Sequence, residues 1–291
     1  MKKLIIETDL GGDPDDLFAI CFLIGMGVDI KGIIVTPGGF DQIAVANLIR
    51  EECNQNFMIA KANPDRDKNA CNGFHYKVLE HFNKNSHMEP DIDAQELLKK
   101  YIPQNTDLLT IGPPKASGKF ARNHPDMIWN KIVIQGGFMR YSMHNFNCER
   151  VEKFKGKKYI PTFNLNGAKQ EALSLIASKA EYNRYFVSKN LCHTIFFDYN
   201  LYNKIENIEA KTEAGELFRT CASLYFTGRD KKKKFHDPLA AFAYLYPKYF
   251  DWVRANMVNQ NGGWGAELDK NGDFVAADVN RKEFWEKIMS F

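Results

Sequence analysis

The sequence predicts an α/β protein whose central sheet is mostly parallel and flanked by helices. Short apolar runs alternate with longer amphipathic segments along the whole chain of 291 residues, an order typical of strands joined by crossover helices. Neither a linker-like stretch nor an internal repeat interrupts this alternation. We therefore expect one domain, residues 1–291, built around a single open sheet.

Apolar periodicity and turn residues locate the individual elements. Strands are predicted at 3–9, 30–36, 57–61, 107–111, 131–135 and 184–188, and helices at 14–26, 41–52, 74–83, 114–122, 167–179, 212–226, 238–245 and 281–289. The segment 269–273, Asp-Lys-Asn-Gly-Asp, separates two short alternating runs and predicts a hairpin turn. It lacks the later Glu and the full spacing of an EF-hand loop.

An aspartate-rich turn follows the first predicted strand. Residues 7–16 read Glu-Thr-Asp-Leu-Gly-Gly-Asp-Pro-Asp-Asp, which predicts a strand end, a glycine turn and a helix with Asp13 as its N-cap. Asp9 would then lie at the carboxyl end of the strand, with Asp15 and Asp16 in the facing helical turn. Converging carboxylates repel unless a hard cation binds them, and oxygen ligands suit Ca²⁺ or Mg²⁺. Loop and cap chemistry is the alternative, but it uses only one carboxylate.

A second polar cluster lies far along the chain. Residues 235–243 read Phe-His-Asp-Pro-Leu-Ala-Ala-Phe-Ala, which again places Asp before Pro at the start of an apolar helix. Asp237 is a candidate fourth carboxylate for the cation, and His236 is a candidate acid-base group. A His-Asp pair alone is more often a cap beside a surface histidine, so its weight depends on the first cluster.

These two motifs resemble those of the inosine-uridine-preferring nucleoside hydrolases, and the resemblance runs nearly end to end. Members begin with an Asp-x-Asp-Pro-Gly-x-Asp-Asp pattern. Asp9, Asp15 and Asp16 match its last three aspartates once one residue is inserted, while Glu7 replaces the first. Residues 236–238 match the family's His-Asp-Pro. The resemblance implies a nucleoside hydrolase-like, Rossmann-like open sheet.

Three segments between these motifs resemble family motifs in the right order. Residues 108–113 resemble the strand that ends in Thr-Gly-Pro, residues 133–137 the strand that ends in Met-Gly-Gly, and residues 161–166 the Glu-Phe-Asn motif. Each of these matches is weak alone. Thr162 stands where the family often has Glu, which removes one carboxylate near the ribose.

The resemblance implies calcium-dependent hydrolysis of the N-glycosidic bond of a ribonucleoside. Ca²⁺ would be held by Asp9, Asp16, Asp237 and a backbone carbonyl, that of Ile111 or else of Thr110. The metal would bind the ribose hydroxyls and a water, and Asp9 would remove the water proton as general base. The bond would break through an oxocarbenium-like sugar.

The remaining site residues are also assigned through the resemblance. Asp15 would orient a ribose hydroxyl, Asn164 would hold the 5′ end, and His236 would protonate the departing base. Asp41 or Gln42 would substitute for a sugar-binding amide of the family that this chain lacks. Phe146 and Tyr225 are candidates for stacking on the base for a different reason, since they are aromatic residues that flank the two lysine-rich loops.

Several departures from the family leave the substrate open. Residues 114–116, Pro-Lys-Ala, place a cation where the family has an amide. One alternative is a hydrolase that acts on a modified nucleoside or on a nucleotide. The other is a non-catalytic, calcium-dependent protein that binds a nucleoside or a sugar. A metal-dependent phosphatase also begins with Asp-x-Asp, but Glu7 would occupy its nucleophile position.

Charge and cysteine content indicate which partners and which cellular location to expect. The net charge is +3, which predicts no general nucleic-acid surface. Two lysine-rich runs, 153–158 and 231–234, are either solvated loops or a lid that attracts an anionic substrate. The six cysteines show no Cys-x-x-Cys spacing, and neither a signal peptide nor a membrane span is evident, so reduced thiols and a cytoplasmic location are expected. The resemblance also implies a homo-oligomer, either a dimer or a tetramer.

Overall fold

The computed structural model describes residues 2–65, 68–140, 151–227 and 232–291. Its strands are β1 (Lys3–Thr8), β2 (Asp29–Val35), β3 (Met58–Lys61), β4 (Ile92–Asp93), β5 (Thr106–Thr110), β6 (Ile128–Trp129), β7 (Ile132–Gln135), β8 (Lys179–Ala180), β9 (Arg184–Val187), β10 (Phe196–Asp198), β11 (Lys232–Lys234), β12 (Phe250–Gln260), β13 (Gly263–Leu268) and β14 (Asp273–Val279). Its helices are α1 (Asp15–Gly25), α2 (Phe40–Glu52), α3 (Gly73–His81), α4 (Ala94–Tyr101), α5 (Lys115–Asn123), α6 (Phe163–Gly167), α7 (Lys169–Ala177), α8 (Lys189–Cys192), α9 (Tyr199–Glu206), α10 (Glu213–Phe226), α11 (His236–Leu245) and α12 (Arg281–Ile288).

One mixed sheet of ten strands organises the described residues. Its order is β13-β12-β14-β9-β7-β5-β1-β2-β3-β4. The six strands that the sequence predicted are neighbours in it, and they all pair in parallel. The predicted α/β class with a mostly parallel sheet is confirmed, as are the eight predicted helices to within a few residues.

The predicted hairpin at 269–273 is wrong. Strands β13 and β14 flank this turn, but both pair antiparallel with β12, which lies between them. The hairpin is instead formed by β12 and β13 across Asn261 and Gly262, both of which have positive φ. Two residues of this type favour the tight turn that joins adjacent strands. The 269–273 turn therefore carries the chain across β12 to its other edge.

Apolar side chains fill both faces of the sheet. On one face α1 is almost completely buried and packs against α10 and α11. On the other face α5 packs against α7, with Trp129 and Phe120 in contact. In the described part of the chain, every helix is too short or too polar to cross a membrane.

The fold brings the motifs of the sequence to one edge of the sheet. Strands β1, β5 and β7 are parallel neighbours, so their carboxyl ends meet. Asp9 follows β1, Ile111 follows β5, and Gln135 ends β7. Ligands of open parallel sheets bind outside this end, and the candidate site lies there.

Candidate active site

Three aspartates converge beside the carboxyl end of β1. Carboxylate oxygens of Asp15, Asp16 and Asp237 lie within 4.8 Å of one another, and all three side chains are buried. Asp15 and Asp16 begin α1 and Asp237 lies in the first turn of α11, and these two helices pack together. The site thus joins residues up to 222 positions apart in sequence. We call these three aspartates the acidic cluster.

Asp9 adds a fourth carboxylate at the edge of the acidic cluster. Burial and the charge of Asp15 raise the pKa of Asp9 to about 7. Burial and neighbouring carboxylates, Asp9 among them, also raise the pKa values of Asp16 and Asp237 well above their usual range. A bound hard cation would remove this repulsion, and an all-oxygen ligand set fits such a cation. The residues present therefore fit the divalent metal that the sequence predicted.

A buried lysine also contacts the acidic cluster. The Nζ atom of Lys233 lies 2.6 Å from Asp13 and 3.0 Å from Asp15, and its residue is only 8% exposed. Lys233 belongs to β11, where it faces Phe197 of β10 in an antiparallel pair. For this lysine the solvated-loop interpretation of the 231–234 run is wrong. Side chains alternate between the two faces of a strand, so every second one points inward, and this alternation is the signal that could have predicted the burial of Lys233.

Asp13 does not cap α1. The helix begins at Asp15 after Pro14, without a side-chain hydrogen bond at its cap. Asp13 is exposed and pairs with Lys233 instead. The predicted cap is wrong because the long side chain of Lys233 reaches Asp13 from a distant part of the chain.

Two amides lie next to the predicted carbonyl ligand. Asn164 donates through Nδ2 to the carbonyl oxygen of Ile111 at 2.8 Å and to Oε1 of Gln135 at 2.7 Å. Both amide residues are buried. The hydrogen bond orients the Ile111 carbonyl, whose oxygen has a second lone pair for another ligand. Gln135 was not predicted as a site residue, although it ends a strand beside the predicted Ile111.

His236 begins α11 directly beside Asp237. Burial lowers the pKa of His236 to about 4, so its ring is neutral at pH 7. Its Nε2 is buried and has no hydrogen-bond partner among the described residues. The ring of His193 lies 5.5 Å away between centroids, and burial together with Lys234 lowers the pKa of His193 to about 3.

Glu7 is not a member of the acidic cluster, and its carboxylate caps the start of α5. Its carboxylate accepts hydrogen bonds from the N–H groups of Ala116 (2.7 Å) and Ser117 (3.1 Å) and from the Ser117 hydroxyl. Burial outweighs these bonds and raises the pKa of Glu7 to about 7. Glu7 thus satisfies N–H groups that have no partner within the helix.

We expect Glu7→Ala to lower the free energy of unfolding by about 2 kcal/mol, because it leaves buried N–H groups without an acceptor. Urea unfolding followed by circular dichroism measures this loss. Glu181→Ala, at an exposed position, is the control and should stay within about 0.5 kcal/mol of wild type. Equal stability of the two variants would contradict the capping role.

The other predicted substrate contacts have different surroundings. Asp41 is buried and accepts hydrogen bonds from the Ala70 and Cys71 N–H groups and the Tyr76 hydroxyl. Burial raises the pKa of Asp41, but the hydrogen bonds outweigh it and lower that pKa. These bonds hold the segment before α3, and a substrate contact of Asp41 stays a prediction. Phe146, the other predicted contact of the base, lies outside the described residues.

Tyr225 is half-buried on α10 and packs edge-to-face against Phe74 and Phe226. Burial raises its pKa, and the charges of Lys233 and Asp13 also act on its hydroxyl. Tyr225 therefore lies near the acidic cluster, and a contact of its ring with the base stays a prediction.

Solved structures match nearly the whole chain, whereas a scan of protein-family models and a search of curated proteins found no match. A plant nucleoside hydrolase has a TM-score of 0.73 at 15% identity, with 99% of this chain and 98% of that one covered. A purine-preferring ribonucleoside hydrolase from Gardnerella vaginalis has a TM-score of 0.69 at 16% identity, with 99% and 97% covered. The inosine-uridine preferring nucleoside hydrolase from Bacillus anthracis has a TM-score of 0.71 at 16% identity, with 99% and 98% covered. The chain therefore has the nucleoside hydrolase fold that its motifs predicted.

Proposed function

We propose that the protein hydrolyses the N-glycosidic bond of a ribonucleoside-type substrate, with Ca²⁺ as its cofactor. One observation carries this proposal: Asp15, Asp16 and Asp237 converge beside Asp9 at the carboxyl end of β1. The nucleoside hydrolase fold supports the same reaction class.

The carboxylates of Asp9, Asp16 and Asp237 and the carbonyl oxygen of Ile111 would hold the cation. When bound, Ca²⁺ supplies Lewis acidity, which makes water a stronger acid, and an anchor for the ribose hydroxyls. All four donors are oxygen atoms, the ligands that Ca²⁺ prefers.

Asp9 would act as general base. Burial and Asp15 raise its pKa to about 7 in the metal-free site. A bound cation would favour the ionised form of Asp9, which is the form that accepts a proton. The attacking water would lose its proton to Asp9 as the bond between C1′ and the base nitrogen breaks.

The other groups would stabilise and orient the sugar. Positive charge develops on the ribose in the oxocarbenium-like transition state, and buried carboxylates stabilise it electrostatically. Asp15, held by Lys233 at 3.0 Å, would accept a hydrogen bond from a ribose hydroxyl. Asn164 would hold the 5′ end. His236 is neutral at pH 7, so it would donate a hydrogen bond from a neutral ring to the departing base.

The test is base release from common and modified ribonucleosides and their 5′-phosphates, detected by chromatography and mass spectrometry. Each reaction is run with Ca²⁺ and, as the control, with excess chelator. We expect release that needs the cation. Calcium and ribose binding without release from any compound would instead indicate the non-catalytic binding protein.

A further inference from the structure

A cavity of about 530 Å³ opens next to the candidate active site. Gln135, Asn164 and His236, which belong to the candidate active site, form part of its lining. Lys153 and Lys157 also line it. They belong to the first lysine-rich run, which is predicted to be either a solvated loop or a lid.

Positive charge is concentrated around this cavity. Lys189, at the start of α8, lines it together with Lys153 and Lys157, and the described lining contains no acidic side chain. Lys234 lies close by: burial, with Lys234 and Lys189, lowers the pKa of Lys153, and burial with Lys234 lowers that of Lys189. Among the described residues, none of these four lysines forms an ion pair with a carboxylate.

Buried polar atoms in the lining also lack partners. The Oγ1 atom of Thr162, whose residue is 3% exposed, and Nε2 of His236 have no hydrogen bond to any described residue. Both residues line the cavity. Buried polar groups without partners are rare in folded proteins and are often completed by a ligand or water.

The acidic cluster limits where an anionic group of the substrate can lie. A phosphate on the 2′ or 3′ oxygen would stand beside the carboxylates of Asp15 and Asp16, whose charge repels it. The 5′ oxygen is the remaining ribose oxygen that can carry a phosphate ester. The lysine-lined cavity adjoins Asn164, the residue predicted to hold that end.

We propose that this cavity binds a phosphate monoester and that the substrate is a nucleoside 5′-monophosphate. This inference rests on the proposed N-glycosidic hydrolysis and names its substrate class. The water gives a proton to Asp9 and its hydroxide bonds to C1′, while the bond from C1′ to the base nitrogen breaks with its electron pair staying on the nitrogen. The base takes up a proton from solvent and Asp9 releases its proton to solvent, so the products are the free base and ribose 5-phosphate. The ammonium groups of Lys153 and Lys189 bind the phosphate oxygens, and the Thr162 hydroxyl donates to the same group.

The test compares kcat/KM for nucleoside 5′-monophosphates and for the corresponding nucleosides in wild type, Lys153→Gln and Lys189→Gln. We expect wild type to prefer the 5′-phosphates and each variant to lower that preference about tenfold, the loss typical of one charge-assisted contact. Lys99→Gln is the matched control, because Lys99 is exposed on α4; it should keep the wild-type preference. Circular dichroism confirms that the variants are folded.

A binding measurement separates this inference from the proposed reaction. Calorimetry with Ca²⁺ present compares ribose 5-phosphate, ribose and inorganic phosphate as ligands of the wild type and the two cavity variants. Tighter binding of ribose 5-phosphate than of the other two, weakened in the variants, supports the phosphate site even if no base is released. Hydrolysis of nucleosides without preference for 5′-phosphates would overturn the inference and leave the proposed function standing. Equal binding of inorganic phosphate and ribose 5-phosphate would overturn it too.

Discussion

Asp237→Asn is expected to lower kcat/KM for base release by at least about 10³-fold and to weaken calcium binding. A factor of 10³ corresponds to about 4 kcal/mol of transition-state stabilisation, within what a catalytic metal supplies. The substitution removes one charge from a site that is proposed to have three carboxylate ligands. Base release and calcium titration calorimetry measure the two effects.

Stability separates a site effect of Asp237→Asn from misfolding. Burial and the charges of Asp15 and Asp16 raise the pKa of Asp237 well above its usual range, so its ionised form destabilises the metal-free protein. We therefore expect the metal-free variant to melt at or above the wild-type Tm. Asp251→Asn, at an exposed position, should leave activity and Tm unchanged. Wild-type calcium affinity in Asp237→Asn would contradict the proposed ligand role.

Lys233→Met is expected to lower the free energy of unfolding of the metal-free protein by about 3 kcal/mol. Removing one partner of a buried ion pair leaves the other charge uncompensated, and Lys233 is buried against Asp13 and Asp15. Burial lowers the pKa of Lys233, but the two carboxylates outweigh it and raise that pKa. A raised lysine pKa stabilises the fold fully below the unfolded value, so the loss is complete at pH 7.

Lys232→Met is the matched control for Lys233→Met. Lys232 is the preceding residue on β11, and its side chain is exposed, so its loss should cost less than about 0.5 kcal/mol. Urea unfolding in excess chelator measures both variants. Added Ca²⁺ should then stabilise Lys233→Met more than wild type, since the cation restores positive charge beside Asp15. Equal stability of the two variants in chelator would show that the ion pair contributes nothing.

Local sequence patterns predicted the central elements of the fold well. The parallel strands β1, β2, β3, β5, β7 and β9 are buried apolar runs, and such runs are recognisable from their neighbours in sequence alone. Four short helices of the described residues, α4, α6, α8 and α9, were missed. Helix α4 carries a cap signal, since Asp93 accepts hydrogen bonds from the N–H groups of Gln95 and Glu96, whereas the single turn of α8 is too short to show an apolar period.

The acidic cluster was predictable because its residues follow recognisable element ends. Asp15, Asp16 and Asp237 each stand in the first turn of an apolar helix, and the motif resemblance paired the two helices. The order of β12, β13 and β14 was not predictable in the same way. Two strands that flank a turn can pair with each other, or both can pair with a third strand that lies between them. Which arrangement forms depends on contacts with strands elsewhere in the sheet.

The sequence alone determined that this protein is an α/β chain with carboxylates at the ends of its parallel strands, because strand ends, helix starts and charge are local properties. Only the tertiary structure decided which distant groups meet them. Lys233 is buried at Asp15 rather than solvated, Glu7 holds the start of α5, and Lys153 and Lys189 share one cavity. Such contacts join residues that lie tens to hundreds of positions apart, and they depend on the packing of whole elements, which no local pattern encodes.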